Sequence, residues 1–350
     1  MSLKTRIGLA FILAGLCAAG SPAQQPVQAG PGAGGGQIVL DVVAGPKSGR
    51  PVADLQQQDF TVLDNKAPQT ITSFKAVTGR EAKLEVTVVI DAVNADPQII
   101  SVARIEIDKF LRVEGGHLTY PTTIAIVTDK GVQMIDNFST DGNALSAALD
   151  KDEVGLRTIT GSAGYYGATE RLQYSLGGLT QLITSEAARP GRKIMLWVSP
   201  GWPLLSGPNT TLDSKQQQEI FGNVVSVTNQ LRQGRVTLYS VNPLGTVESV
   251  GRASYYQEFL KGVSKPSQVN VANLGLPVLA IQSGGKAIDL TNDVAGSLQE
   301  CLADTVPYYE IGFSAPPSAK ADEYHQIEIK VGKSGLTART RQGYYSQTQP

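Results

Sequence analysis

The chain has 350 residues, with 30 Lys and Arg against 31 Asp and Glu, and only 17% of its residues are charged. This length is enough for one large domain and a smaller one. Because the net charge is near zero and no basic or acidic run stands out, the composition argues against nucleic acids and other polyanions as partners.

The first residues, 1–23, have the pattern of a secretory signal peptide. Lys4 and Arg6 precede an apolar run over residues 7–19, and the small residues Ser21 and Ala23 predict cleavage after position 23. The apolar run is shorter than the about 20 residues that a membrane-spanning helix needs. We therefore expect an exported protein, periplasmic or extracellular, with no stable membrane insertion after cleavage.

The two ends of the mature chain both have strand patterns. Residues 24–36 are rich in glycine and proline and are predicted to form a flexible linker. Residues 37–78 and residues 322–346 contain short runs in which apolar and polar side chains alternate. Neither segment is long enough to form a core alone. We infer that the two segments combine into one small β-sandwich.

Between these ends, over residues 83–313, strand patterns alternate with helix patterns. The strands predicted at 84–90 and 193–198 are mostly apolar on both faces, as in a sheet that is covered on both sides. Repeated units of this kind predict an α/β fold with a doubly wound, mostly parallel sheet and helices on both faces. Residues 308–313 are predicted to be its last strand, and an insertion is expected at about 242–276.

Ligands of such sheets bind beyond the carboxyl ends of the strands. Three loops are expected to converge there, at residues 91–96, 160–167 and 199–202. The aromatic residues of these loops are Tyr165, Tyr166 and Trp202. If their rings are exposed, they would suit the recognition of a protein. The alternative interpretation is that these loops pack on one another.

Several short segments, in the same order along the chain, resemble one family. They are residues 51–55, 59–64, 71–74, 84–91, 198–201, 283–287, 307–313 and 340–345. In these segments the chain is similar to von Willebrand factor type A domains, and more closely to the secreted, acidobacterial-type von Willebrand factor A-related family. The resemblance implies a von Willebrand A-like fold for the central region.

The resemblance also implies a metal-ion-dependent adhesion site. In that site an Asp-x-Ser-x-Ser loop, a threonine from a second loop and an aspartate from a third hold a divalent cation through oxygen atoms. Asp91 matches the first aspartate. The residues at the two serine positions are Val93 and Ala95. The threonine position falls near Ser162 or Ala163, and residues 199–201 contain no carboxylate. We therefore expect a degenerate site without a metal or another cofactor.

Two of the acidic residues have structural interpretations as well. Asp96 stands before Pro97 and fits the N-cap of a helix. Asp91 can end its strand and accept hydrogen bonds from loop amides. Catalysis has little support, because the only histidines are His117 and His325 and no Gly-x-Ser-x-Gly motif is present.

These observations predict an exported, non-catalytic binding protein whose partner is another secreted or envelope protein. The expected contact residues are Asp91, Asn94, Asp96, Ser162, Tyr165, Tyr166, Ser199 and Trp202. One alternative is a functional cation-dependent adhesion site that uses Asp91, Asn94 and Ser162. The sequence is also compatible with an exported hydrolase of envelope polymers that acts through carboxylates, and with a subunit that has a purely scaffolding role.

Overall fold

A computed structural model describes residues 36–79, 82–152, 165–203, 212–245, 255–318 and 320–347. The predicted signal peptide and all but the last residue of the predicted linker lie outside these ranges. Within the described ranges, no helix combines the length and the apolar character that crossing a bilayer requires.

The secondary structure consists of strands and helices that alternate in the middle of the chain and of strands alone near its two ends. The strands are β1 (Gln37–Pro46), β2 (Phe60–Asp64), β3 (Ala67–Gln69), β4 (Ile71–Val77), β5 (Leu84–Asp91), β6 (His117–Thr128), β7 (Gly131–Met134), β8 (Ser139–Asp141), β9 (Arg192–Val198), β10 (Val236–Val241), β11 (Ala287–Ile288), β12 (Tyr308–Ser314), β13 (Tyr324–Val331), β14 (Leu336–Arg339) and β15 (Gly343–Tyr345). The α-helices are α1 (Pro97–Leu111), α2 (Gly142–Lys151), α3 (Tyr165–Ala187), α4 (Ser214–Gln233), α5 (Leu276–Gln282) and α6 (Val294–Ala303).

A seven-stranded, mostly parallel sheet forms the centre of the fold. Its strand order is β11-β10-β9-β5-β6-β7, and β8 pairs with β6. The five strands from β11 to β6 run parallel, whereas β7 and β8 are antiparallel to β6. The predicted α/β class with a mostly parallel sheet is therefore confirmed, and β5 lies near the middle of that sheet.

Helices cover both faces of this sheet, because its central strands are apolar on both sides. In β5, Val88 and Ile90 face a cluster that includes residues of α1, α2 and α6. Val89 faces the other way, into a cluster with Trp197 of β9 and residues of α3, α4 and α5. Successive side chains of a strand point to opposite faces, so an uninterrupted apolar run fills both cores.

Two small antiparallel sheets contain the strands from the two ends of the chain. Their strand orders are β14-β1-β12-β4 and β15-β13-β2-β3. One hydrophobic cluster joins them, with buried members such as Leu40 of β1, Val62 of β2, Phe313 of β12 and Ile327 of β13. Early and late segments of the chain therefore share one core.

Strand β12 differs from the prediction. Residues 308–313 were expected to end the parallel sheet, but β12 lies between β1 and β4 and is antiparallel to both. Tyr308 packs in the cluster on the α/β sheet, whereas Tyr309, Ile311 and Phe313 pack in the sandwich. The prediction was wrong because an apolar run on both parities shows that a strand is buried and does not show which sheet it joins.

Arg235 connects the sandwich to the central sheet through salt bridges. It precedes β10, and its guanidinium forms salt bridges with Asp41 of β1 and with Glu310 of β12, the latter at 2.8 Å. The described residues from Gly36 onwards belong to one compact unit. In the described part of the predicted insertion, the chain forms three short 3-10 helices, Tyr255–Phe259, Pro266–Gln268 and Val271–Leu274.

Candidate functional site

The candidate site lies at the carboxyl end of β5, where Asp91 is the last residue of the strand. The neighbouring strands β6 and β9 run parallel to β5, so their carboxyl ends lie at the same edge of the sheet. The chain then turns away, and Ala92 N donates to Val127 O of β6 at 2.9 Å. Asp91 is only 1% exposed. A buried carboxylate at this position needs hydrogen-bond partners.

The carboxylate of Asp91 accepts six hydrogen bonds from four residues. Oδ1 accepts from the backbone N–H groups of Val93 and Asn94, each at 3.0 Å. The side-chain amide of Asn94 donates to Oδ1 at 3.1 Å and to Oδ2 at 2.9 Å. Oδ2 also accepts from Trp197 Nε1 at 3.2 Å and from Ser199 Oγ at 2.7 Å. These donors satisfy the hydrogen-bonding capacity of a carboxylate that is buried away from water.

This arrangement does not fit the divalent cation that the family resemblance implies. Both oxygens of Asp91 are already surrounded by protein donors, and Val93 and Ala95 present methyl groups where the resemblance requires serine hydroxyls. Within the described ranges, no group of three or more His, Cys, Asp or Glu residues could hold a metal. Ser162, the expected contribution of the second loop, lies outside those ranges.

Asn94 connects this loop to helix α3. Its amide nitrogen donates to Ser175 Oγ at 2.8 Å, and that hydroxyl donates to Arg171 O at 2.8 Å. Ser175 is fully buried. Its role was not predicted, although a serine on the apolar face of a predicted helix is a signal that it has a buried hydrogen-bond partner. The contact fixes the loop on the helix.

Ser199 and Trp197 bring the second loop to the same carboxylate. Ser199 Oγ donates to Asp91 and accepts from Gly201 N at 3.1 Å. Gly201 has φ of 102°, a conformation that only glycine adopts readily. The expected meeting of the 91–96 and 199–202 loops is therefore present. Trp197 was missed as a site residue, although a buried indole N–H requires an acceptor.

Trp202 is packed inside the protein. Its side chain is 3% exposed, and its ring meets that of Trp197 edge-on, with centroids 5.3 Å apart. It belongs to the cluster on the α3 and α4 side of the sheet. For this residue, the structure agrees with the alternative that the loops pack on one another, because the ring is not exposed to a partner.

Three other predicted contact residues, Asp96, Tyr165 and Tyr166, lie at the N-terminal ends of helices. Asp96 is exposed and is the N-cap of α1, where it accepts from Gln98 N and Ile99 N, each at 3.0 Å. Tyr165 and Tyr166 begin α3, so the prediction that they lie in a loop was wrong. A helix can begin before its first periodic apolar residue, and that is where the predicted boundary failed.

No protein-family model matches the sequence, and a comparison with curated proteins found no match. Solved structures with weak similarity include human COPII-coat protein Sec24c, with a TM-score of 0.31 and 10% identity over 78% of this chain and 44% of that chain. For the TFIIH p34 N-terminal domain the TM-score is 0.28, with 12% identity over 63% and 97%. For the PilB minor pilin from Streptococcus sanguinis it is 0.37, with 12% identity over 64% and 60%. This chain thus spans less than half of the Sec24c chain. None of these similarities assigns it to a family.

Proposed function

We propose that the chain is an exported, non-catalytic protein-binding module, with a von Willebrand A-like domain whose metal-ion-dependent adhesion site is degenerate. One observation carries this proposal: the Asp91 carboxylate accepts six hydrogen bonds from protein donors at the position where the resemblance implies a cation. The loop geometry of an adhesion site is kept while the ion is replaced by N–H and O–H groups.

The partner is another secreted or envelope protein, and it binds the surface formed by residues 91–96 and the loop after β9. This surface is rigid before binding, because Asp91 holds Ser199 and Asn94 holds Ser175. A preorganised surface loses little conformational entropy when a partner docks. Asp96 and Gln98 are exposed at its edge. Export is supported by the signal-peptide pattern of residues 1–23.

A site-specific cross-link tests the proposal. Gln98→Cys places a thiol for a photo-reactive label at the edge of this surface. As the matched control, Lys330→Cys places one at an exposed position of β13 in the sandwich. Of the two native cysteines, Cys17 lies in the predicted signal peptide and is absent from the mature chain that carries the label. Cys301 is 1% exposed, so it does not compete for the label. The label at position 98 should cross-link one defined envelope protein that the label at position 330 does not.

The same experiment separates a cation-independent surface from a cation-dependent one. Cross-linking that is unchanged by EDTA supports a cation-independent surface, whereas its loss in EDTA and recovery with Mg²⁺ would support the cation-dependent site. Equal products from both labels, or none from position 98, would contradict the placement of the surface. Release of soluble fragments from isolated envelope polymers by the purified chain would contradict the non-catalytic assignment.

A further inference from the structure

A cavity of ≈ 580 Å³ opens beside β11, the edge strand of the central sheet. This volume is in the range of pockets that bind small ligands. Its apolar and acidic lining residues include Tyr256, Ile281, Ile288, Asp289, Leu290 and Glu300. Asp289 directly follows the carboxyl end of β11. Because the strands from β11 to β5 run parallel, Asp289 lies at the same edge of the sheet as Asp91.

Asp289 is a half-buried carboxylate without a partner in the described part of the chain. No described residue forms a hydrogen bond or a salt bridge with its side chain. Burial raises the pKa of its carboxyl group to about 6. Burial without a compensating partner disfavours the charged form of the Asp289 carboxylate. A cation placed beside this carboxylate would offset the free-energy cost of its ionisation.

The cationic side chains in the wall of the cavity are already paired elsewhere. Lys286 Nζ lies 2.9 Å from Asp304 Oδ1. Arg339 forms a salt bridge with the same carboxylate and donates to Gly284 O. Both cations are therefore held by Asp304, whereas Glu300 is exposed at the rim and adds a second negative charge. With Asp304 included, the carboxylates of Asp289, Glu300 and Asp304 outnumber these two cations by one. Neither cation forms a salt bridge with Asp289, so a basic ligand is expected beside it.

The rest of the wall suits an aliphatic chain. Ile281, Ile288 and Leu290 contribute apolar surface, and Leu290 is 52% exposed. Tyr256 adds an aromatic ring, and burial, followed by the charge of Asp289, raises the pKa of its phenol. Lysine and arginine combine an apolar stem with a charged end, and they bury the stem while the charge finds its partner.

We propose that this cavity binds a lysine or arginine side chain of a protein partner, with the aliphatic stem against Ile281, Ile288 and Leu290 and the cationic group beside Asp289. The cavity is a second site, three strands away from the Asp91 loop, and its proposed ligand is independent of the ligand of that loop.

The edge of β11 favours a peptide over a free amine. Ser240 N, in β10, donates to Lys286 O, and Asn242 N, the residue after β10, donates to Ile288 O. Strand geometry alternates, so the N–H and C=O of Ala287 point away from β10. No described strand pairs with β11 on that side. An extended peptide can therefore hydrogen-bond to Ala287 while its basic side chain enters the cavity.

Fluorescence polarisation with a labelled heptapeptide of alternating threonine and valine and one central lysine tests this site on the mature chain. We expect the lysine peptide to bind at least about fivefold more tightly than a peptide with a central glutamate, and Asp289→Asn to remove that preference. The matched control Asp150→Asn removes an exposed carboxylate on α2 and should bind like the wild type.

The proposal would be overturned if the two peptides bound with equal affinity or if Asp289→Asn bound the lysine peptide as the wild type does. It would also be overturned if about 1 mM protein did not saturate the labelled lysine peptide. Competition by free 1,5-diaminopentane at the affinity of the peptide would overturn the assignment to a protein side chain. If Asp289→Asn does not fold, the wild type decides: its preference for lysine should shrink as salt is raised, and a preference that is independent of salt would contradict an ionic contact.

Discussion

The indole N–H of Trp197 donates to the carboxylate of Asp91 over 3.2 Å, joining β9 and β5 through side chains. Trp197 pairs in register with Val89, and Asp91 follows two residues later, so both side chains point to the same face of the sheet. That is the face covered by α3 and α4. The carboxylate therefore belongs to the core of the protein as much as to its loop.

Replacing Asp91 by Ala should strongly destabilise the fold. The change leaves the indole N–H of Trp197, the hydroxyl of Ser199 and two loop amides without their acceptor, and we expect a loss of about 3 kcal/mol or more in the free energy of unfolding. Urea denaturation measures it. The matched control Asp96→Ala removes only the N-cap of α1 and should cost about 1 kcal/mol. Equal costs would contradict the central role of Asp91.

A cation that binds only the native state would raise the melting temperature. Since the Asp91 site is degenerate, we expect the same melting temperature, within about 1 °C, in millimolar Mg²⁺ and in EDTA. Differential scanning fluorimetry measures this. A second variant, Val93→Ser, restores one serine of the adhesion motif, but Val93 is 4% exposed and packs with Trp197 and Trp202. It should therefore lower the melting temperature in both buffers. A rise with Mg²⁺ would favour a cation-dependent adhesion site.

Trp202→Ala should cost about 3–5 kcal/mol of stability, because it removes a buried ring from the cluster around Trp197. Denaturant unfolding tests this. A conservative variant, Trp202→Phe, keeps much of the apolar volume and should cost less. If Trp202→Ala left the stability unchanged while it abolished the cross-link from position 98, the ring would be a surface contact.

Asp289→Asn should raise the melting temperature at about pH 7.5 and leave it nearly unchanged at about pH 3, below both pKa values. The pKa of Asp289 is about 6 in the folded protein, above its ordinary value of 3.8, so the folded state binds the proton more tightly than the unfolded chain. The wild type therefore loses stability as the pH rises between these values, and the variant does not. Thermal melts across this range measure the difference. The nearby charged groups are Lys286, Glu300 and Arg339.

The same titration affects peptide binding. Protonation of Asp289 removes the charge that attracts a lysine, so binding of the lysine peptide should weaken as the pH falls below about 6. Fluorescence polarisation at a series of pH values follows this change. Asp289→Asn should bind with the same affinity at each pH. A wild type whose affinity does not depend on pH would contradict the assigned contact.

The sequence was sufficient for the parts of the fold that local patterns determine. The apolar run before Asp91 identified a strand that is buried on both faces, and Asp96 before Pro97 identified the N-cap of α1. The pairing of strands that are far apart in the sequence was harder to predict. Tyr308 and Tyr309 fill two different cores, and no local pattern distinguishes which sheet such a strand joins.

The candidate site was partly predictable for the same reason. The approach of Ser199 to Asp91 follows from parallel strands that end at one edge of a sheet. The roles of Trp197 and Ser175 depend on side-chain directions and on the position of α3, which the sequence pattern did not supply. Asp289 was not identified, because a lone acidic residue gives no local signal that it is half-buried without a partner. Its isolation is visible only when its neighbours in space are known.

The sharing of one sandwich core by both ends of the chain also constrains folding. Gln37 of β1 pairs with Ser314 of β12, and Asp64 of β2 pairs with Ile327 of β13. Until those late residues are available, β1 therefore has none of its partner strands and β2 pairs only with β3. Such a high contact order slows folding. A chain that stopped before β12 would expose the unpaired edges of β1 and β2 to aggregation.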